Sequence, residues 1–459
     1  MEEDRVSLLM EDWAVNVDVL DKDSQKAQWN KPSIYKGDHL KKMDPHKRRV
    51  LGHFLKRYNI TLQTLVDSLT TTNYRWQHKE VLPVLQHLMD AYDSLDDKWL
   101  HDHDGFLMLV IFDGCFMLEI LQWSSVYDDH KAFVRSESSK ATTSVVRRIK
   151  QKTTASALTG SVDDYCYADN GPIFSLHGKS YFMSYIRRDI LMLENQLPML
   201  LLKTLLGAAL PTEPKEAIEE HLNTIILNFC RGNSQYEKRN MGSSLHVLDL
   251  NRKSLLNKNS IHDRNSASSG EDENIIRSVT NLHESGVKFE RSTNFCHLTD
   301  IRVEGHVLKL PVVDIDDTTE SKLLNLMAFE RFHVGAGNEV TSYVYFMDNI
   351  IDSSEDVKIL KSSGVLINSI GSDKAVARLF NELTKDAMPD SENMLEKVVQ
   401  KQLDKHCRNK WNEWRATLNH TYFKNPWALL SLLAAVLLLA LTISQTFYSI
   451  YGYCKPRKS

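Results

Sequence analysis

WALLSLLAAVLLLALTISQTFYSIY, residues 427–451, carries no charged side chain. A helix needs about 20 apolar residues to cross the hydrocarbon core of a bilayer, and this run supplies them. Trp427 stands at one edge, with Tyr448, Tyr451 and Tyr453 at the other, where aromatic rings favour the headgroup zone. A buried core helix is the competing reading, but core helices seldom stay apolar on every face for this length. The run therefore predicts a single C-terminal transmembrane helix at 427–451, followed by a basic tail at 452–459.

The flanks give opposite signs of orientation. Lys455, Arg457 and Lys458 favour a cytosolic tail, whereas Arg408, Lys410, Arg415 and Lys424 favour a cytosolic body. The N-terminus opens acidic (Glu2, Glu3, Asp4), so no secretory signal is expected there. Sequons at Asn59 and Asn419 would be used only on a lumenal body. Cys454, beside the basic tail, is an S-acylation candidate if that tail is cytosolic.

The whole chain has 459 residues and a net charge of −4, and the part upstream of the anchor leaves ample material for a folded body. With 56 basic against 60 acidic side chains, broad attraction to nucleic acid is not expected. Six cysteines, none in a C-x-x-C spacing, exclude a disulfide scaffold, a zinc ribbon and a thioredoxin-like pair.

Periodicity predicts a mostly α-helical α+β protein. A polar arm (1–31) precedes a helical region (32–250), in which Pro45–Leu69, Glu80–Leu95 and Gly105–Trp123 carry helical apolar patterns. Tyr181–Leu206 reads as one strong helix kinked at Pro198. Residues 135–163, rich in Ser, Thr and basic residues, read as a mobile insertion, and 251–274 as a low-complexity linker. The region 275–389 is α+β: short alternating segments within Gly286–Asp317 predict strands, and helices resume from Ser321 through Lys385. An amphipathic membrane-proximal helix (390–426) follows, with Leu395, Val399, Leu403, Cys407, Trp411, Trp414 and Leu418 as its stripe.

The search for chemistry yields exclusions. Gly178-Lys179-Ser180 is no phosphate loop, because position 173 is Ile173 where the motif requires glycine. No G-x-G-x-x-G, H-E-x-x-H or G-x-S-x-G string occurs. His101-Asp102-His103-Asp104 could offer metal ligands, but at the mouth of a helix Asp104 reads more simply as an N-cap. Asp113, Glu119, Asp189 and Glu194 interrupt apolar helices. Carboxylates so placed need partners, with Arg187 and Arg188 as candidates, and they form either a packing network or a catalytic acid–base pair. The network is the favoured reading. The basic stretch Lys41, Lys42, Lys47, Arg48, Arg49, Lys56 and Arg57 reads as a solvated face open to anionic lipid or an acidic partner. No catalytic, cofactor-binding or metal-ligating residue is assigned, and no cofactor is expected.

Several strings together resemble the plant family known as domain of unknown function 247. The most specific is Arg188-Asp189-Ile190 running into Met192-Leu193-Glu194-Asn195-Gln196-Leu197-Pro198. Others are Asp113-Gly114-Cys115-Phe116 with Glu119, His246-Val247-Leu248-Asp249-Leu250, and Glu284-Ser285-Gly286-Val287-Lys288-Phe289. Ala328-Phe329-Glu330, Val340-Thr341-Ser342-Tyr343, Phe346-Met347-Asp348, Gly371-Ser372-Asp373, and Tyr422-Phe423 with Asn425-Pro426-Trp427 complete the set. The resemblance runs from about Pro32 onward. It departs at the start, where Pro32-Ser33-Ile34-Tyr35-Lys36-Gly37-Asp38-His39 replaces the family's Gly-Pro-Tyr-His-His-like string.

The resemblance implies a plant protein with a C-terminal membrane anchor, most naturally at the plasma membrane. Some grass members act as pollen-side determinants of self-incompatibility. The function it suggests is non-enzymatic recognition or signalling through a protein or peptide partner, with specificity in residues 135–163 and 251–274. An enzyme using Asp113, Glu119, Asp189 and Glu194, or a tail-anchored intracellular scaffold, are the alternatives.

Overall fold

The computed structural model describes residues 44–70, 83–92, 101–138, 173–231, 241–256, 277–292, 297–385 and 426–454, apart from positions 175 and 334, with isolated residues at 99 and between 399 and 407. The polar arm, the altered string at 32–39, residues 139–163 of the insertion and most of the membrane-proximal helix lie outside them. The chain divides into two compact units, residues 1–254 and 255–459.

Among the described residues the elements of the first unit are helical: α1 (Asp44–Tyr58), α2 (Leu62–Thr70), α3 (Val84–Asp90), α4 (His103–Ser138), α5 (Leu176–Ile190), α6 (Met199–Ala209), α7 (Lys215–Arg231) and α8 (Val247–Leu255). Its axis is α4, whose segment from Phe106 to Trp123 is apolar on nearly all sides. Phe106, Ile111, Cys115, Leu118, Leu121 and Trp123 are fully or almost fully buried. Helices α1, α6 and α7 pack around it, and α2 packs on α6. Gly114 is the point of closest approach: a methyl group there would collide with Leu205 and press on Leu201 of α6.

Three expectations change in this unit. Pro45–Leu69 is two helices rather than one. The chain breaks at Asn59, which adopts a left-handed φ of 51°, and Thr61 caps α2 by accepting the Thr64 N–H at 3.3 Å. The helix expected at Gly105–Trp123 runs on to Ser138, into the stretch read as an insertion from 135. Residues 251–255, read as the start of a linker, close α8, with Asn251, Arg252 and Ser254 buried.

The second unit starts with α9 (Val279–Glu284) and four short strands, β1 (Lys288–Arg291), β2 (Arg302–Glu304), β3 (Val307–Leu310) and β4 (Val313–Ile315). They fall within Gly286–Asp317, where the short alternating segments predict strands. Strand β3 lies between β1 (parallel, Phe289 opposite Leu308) and β2 (antiparallel, Val303 opposite Leu308). Helices α10 (Thr319–Phe332), α11 (Glu339–Ile350), α12 (Ser354–Ser362) and α13 (Asp373–Leu383) follow. They enclose a core of Leu326, Val340, Phe346, Leu360 and Phe380. A fifth strand, β5 (Leu366–Asn368), interrupts the expected helical run and pairs in parallel with β4. Of the membrane-proximal stripe, Val399, Leu403 and Cys407 are described and buried, and His406 stacks on His306 at the β2–β3 turn.

The last element, α14 (Pro426–Cys454), contains the apolar segment Leu430–Tyr451, long and apolar enough to cross a membrane, with none of it buried against the rest of the chain.

Candidate functional site

The acids of α4 draw their partners from α1. Lys47 Nζ donates to Asp113 Oδ1 at 2.5 Å. Arg57 Nη1 donates to both oxygens of Glu119 at 2.6 Å, and the Glu119 side chain is fully buried. One turn on, the Tyr58 hydroxyl and the Gln122 amide lie within 2.9 Å of each other. Burial pushes the Tyr58 pKa up to about 12. Burial, and then the neighbouring Glu119 charge, pushes the Cys115 thiol up as well, so Cys115 is held protonated and is a poor nucleophile. The cations expected to form a solvated face thus supply the partners in place of Arg187 and Arg188. The geometry is that of a packing network: each carboxylate already faces its own cation.

Asp189 and Glu194 are exposed rather than embedded. Asp189 lies 3.5 Å from Arg188 with both side chains about half open to solvent. Partial burial raises the Asp189 pKa against the opposing pull of Arg188. The structure does not bring these two acids into the network of Asp113 and Glu119.

Between them the chain turns. α5 ends at Ile190, a 3-10 turn occupies Leu193–Asn195, and α6 leaves at 86° to α5, so the expected kinked helix is a broken one. Pro198 disfavours helical backbone at Leu197 and is itself the N-cap of α6. The break nevertheless starts seven residues before the proline, because two amide side chains supply the hydrogen bonds a helix would have made. Asn195 Nδ2 donates to Asp189 O at 3.0 Å. Gln196 Nε2 donates to Ile190 O and Met192 O, both at 2.7 Å, while its Oε1 accepts the Leu248 N–H of α8 at 2.9 Å. Carbonyls left over at the end of one helix and a donor left over at the start of another are satisfied by one side chain. Gln196→Ala removes this partner from Ile190 O and the Leu248 N–H, while Met192 O keeps the Asn195 N–H at 3.1 Å, and we expect it to cost about 1–3 kcal/mol in chemical denaturation of the full chain. Asp249, also in α8, accepts the Leu245 N–H at 2.9 Å and pairs with Lys253 at 2.8 Å.

What remains of this region faces outward. On α5, Phe182 is 45% exposed and Tyr185 58%. The Arg188 guanidinium lies 5.6 Å from the Tyr185 ring centre, with Asp189 beside it. Arg187, one position away, turns instead toward the ring of Phe229. Aromatic rings at i and i+3 on a helix normally mark a core stripe, so pattern alone hides this surface.

The remaining motifs also resolve into structural roles. Glu330, buried at the end of α10, accepts from the Val340 and Thr341 N–H groups at 2.9 and 2.8 Å and from the Thr341 hydroxyl at 2.6 Å, capping α11. Gly286, at φ 92°, ends α9 and lets the chain enter β1. Ser372 caps α13 through the Ala375 N–H. Asp348 accepts the Thr384 hydroxyl at 2.7 Å. Asp356 was not singled out by sequence reasoning, although Ser353-x-x-Asp356 has a capping-box spacing. The cap of α4 is Asp102, accepting the Gly105 N–H at 2.8 Å, and not Asp104. Among the described residues no group of three or more His, Cys, Asp or Glu side chains could hold a metal ion.

Comparison with known proteins agrees with the motif pattern. The chain is 25% identical to UPF0481 protein At3g47200 of Arabidopsis thaliana over 93% of its own length and 82% of that protein's. It is 32% identical to putative UPF0481 protein At3g02645 of the same plant over 39% of this chain and 34% of the relative. No solved structure matches it. The model of the DUF247 family, described as plant protein of unknown function, matches residues 31–441, and the chain belongs to that family.

Proposed function

We propose that this is a membrane-anchored, non-enzymatic recognition protein that binds a protein or peptide partner. The observation carrying the reading is the outward face of α5, where Phe182, Tyr185, Arg188 and Asp189 combine exposed aromatic surface with an ion pair. Aromatic and arginine side chains are the residues enriched at protein interfaces and at their energetic centres. The four acids that an enzyme reading would use support it from the other side. Asp113 and Glu119 are paired with α1 cations, and Asp189 and Glu194 stand in solvent. Pollen–stigma self-recognition at the plasma membrane is one setting for such a protein. Partner choice then belongs to the α5 face together with the segments around 139–163 and 257–274.

The test is proximity labelling by the full chain in plant membranes, wild type against Tyr185→Ala/Arg188→Glu. The double variant should lose a defined subset of labelled proteins while its melting midpoint stays that of wild type. An unchanged labelled set in a folded variant would refute the reading.

A further inference from the structure

The apolar span carries few polar side chains; Ser431, Thr442, Gln445 and Ser449 share one side of the helix, with Ser444 and Thr446 off it. Ser431, Ala435, Leu438, Thr442, Gln445 and Ser449 follow one another in steps of four, three, four, three and four, so they form a single stripe along α14. Eighteen residues in five steps keep the stripe on one face of the helix, and the alternation of four and three is the pattern by which two helices pack side by side. Five of the six are small or polar, whereas Leu432, Leu433, Val436, Leu437 and Leu439 lie off the stripe.

Gln445 decides what the stripe is for. The Thr442 and Thr446 hydroxyls return to their own helix, donating to Leu438 O and Thr442 O at 2.8 Å. The Gln445 side chain has no hydrogen-bond partner among the described residues. In water that costs little. In hydrocarbon a bare amide loses its hydration with nothing in exchange, so it seeks a partner on another helix. A second copy of α14 answers this without any further chemistry, because an amide both donates and accepts. Across a two-fold axis each Gln445 Nε2 donates to the other's Oε1, while the small neighbours let the backbones approach.

We infer that α14 is a self-association surface through which two copies of this chain pair in the membrane, with Gln445 at its polar centre. The inference rests on α14 lying in a bilayer and is independent of what the α5 face binds.

The experiment co-expresses two differently tagged full chains in plant cells and measures co-capture from membranes opened with mild detergent. Flotation of the same membranes on a density gradient reports insertion. Wild type should co-capture. Gln445→Leu should reduce co-capture by about five- to thirty-fold, the scale of one interhelical polar contact in model peptides. Gln445→Asn should retain most of it, and Ser444→Leu, a quarter-turn away, should be neutral. All variants should float with lipid. Undiminished capture by Gln445→Leu would overturn the inference. So would a floating wild type recovered as a monomer or only with a different single-span protein. Failure of the wild type to float would overturn the anchor itself, and the inference with it.

Discussion

Arg57→Met should lower the unfolding free energy by about 3–5 kcal/mol, the usual cost of stripping one partner from a buried ion pair. Glu119 is fully buried against α1, and Arg57 Nη1 reaches both of its oxygens at 2.6 Å. Without the guanidinium the carboxylate must either stay charged in an apolar helix contact or take up a proton at neutral pH. Both raise the free energy of the folded state. Lys47, the other α1 cation paired with an acid of α4, already serves Asp113. The double variant Arg57→Met/Glu119→Leu should recover most of the loss, because an apolar pair of similar volume has no charge to compensate. Urea denaturation of the full chain in detergent distinguishes the cases. A double variant no more stable than Arg57→Met would place the cost in packing rather than in the orphaned charge.

The second large effect lies in the other unit. Asp356 is 1% exposed and serves two helices at once. Its Oδ1 accepts the Thr280 N–H and hydroxyl, both at 2.7 Å, at the first turn of α9. Its Oδ2 accepts the Ser353 N–H at 2.9 Å and hydroxyl at 2.8 Å, closing the start of its own helix α12. A carboxylate at two helix N-termini also meets two positive dipole ends. Asp356→Ala leaves two backbone N–H groups and two hydroxyls with no acceptor. Thr280 is half-buried and its lost acceptor costs about 1–3 kcal/mol, whereas Ser353 is open to water and losing its cap costs about 0.5–2 kcal/mol, so a loss of about 2–4 kcal/mol is expected. Hydrogen exchange should show α9 and α12 losing protection together. A loss below about 1 kcal/mol, or protection lost in α12 alone, would mean that the bridge between them carries little.

Both residues show where sequence reasoning stops. Helices, strands and the anchor were legible because each has a period or a length: the four strands of the second unit sit on their alternating segments, and the apolar run is α14. Asn59 and Thr61 carried local signals for a break, a left-handed helix end and an N-cap, but the apolar stripe through Val50, Leu51, Phe54 and Leu55 outweighed them. Strand β5 is three residues long, too short to show any alternation. The Arg57–Glu119 pair joins residues 62 positions apart, and nothing local marks Arg57 among its basic neighbours as the one that turns inward. The break before Pro198 was half legible. Proline announces a disturbance, but only the placed amides of Asn195 and Gln196 show that the chain turns earlier and by 86°. The motif residues Gln196, Asp249 and Glu330 all satisfy backbone groups, as does Asp356 outside the motifs. The outward set on α5 is what remains once those roles are assigned.

The C-terminal helix α14 has to hold a folded body to a bilayer. Alkaline carbonate extraction of plant microsomes carrying the full chain, beside a chain stopped after Asn425, tests this directly. The full chain should stay with the membrane pellet and the shortened chain should be released. Release of the full chain into the soluble fraction would contradict the account.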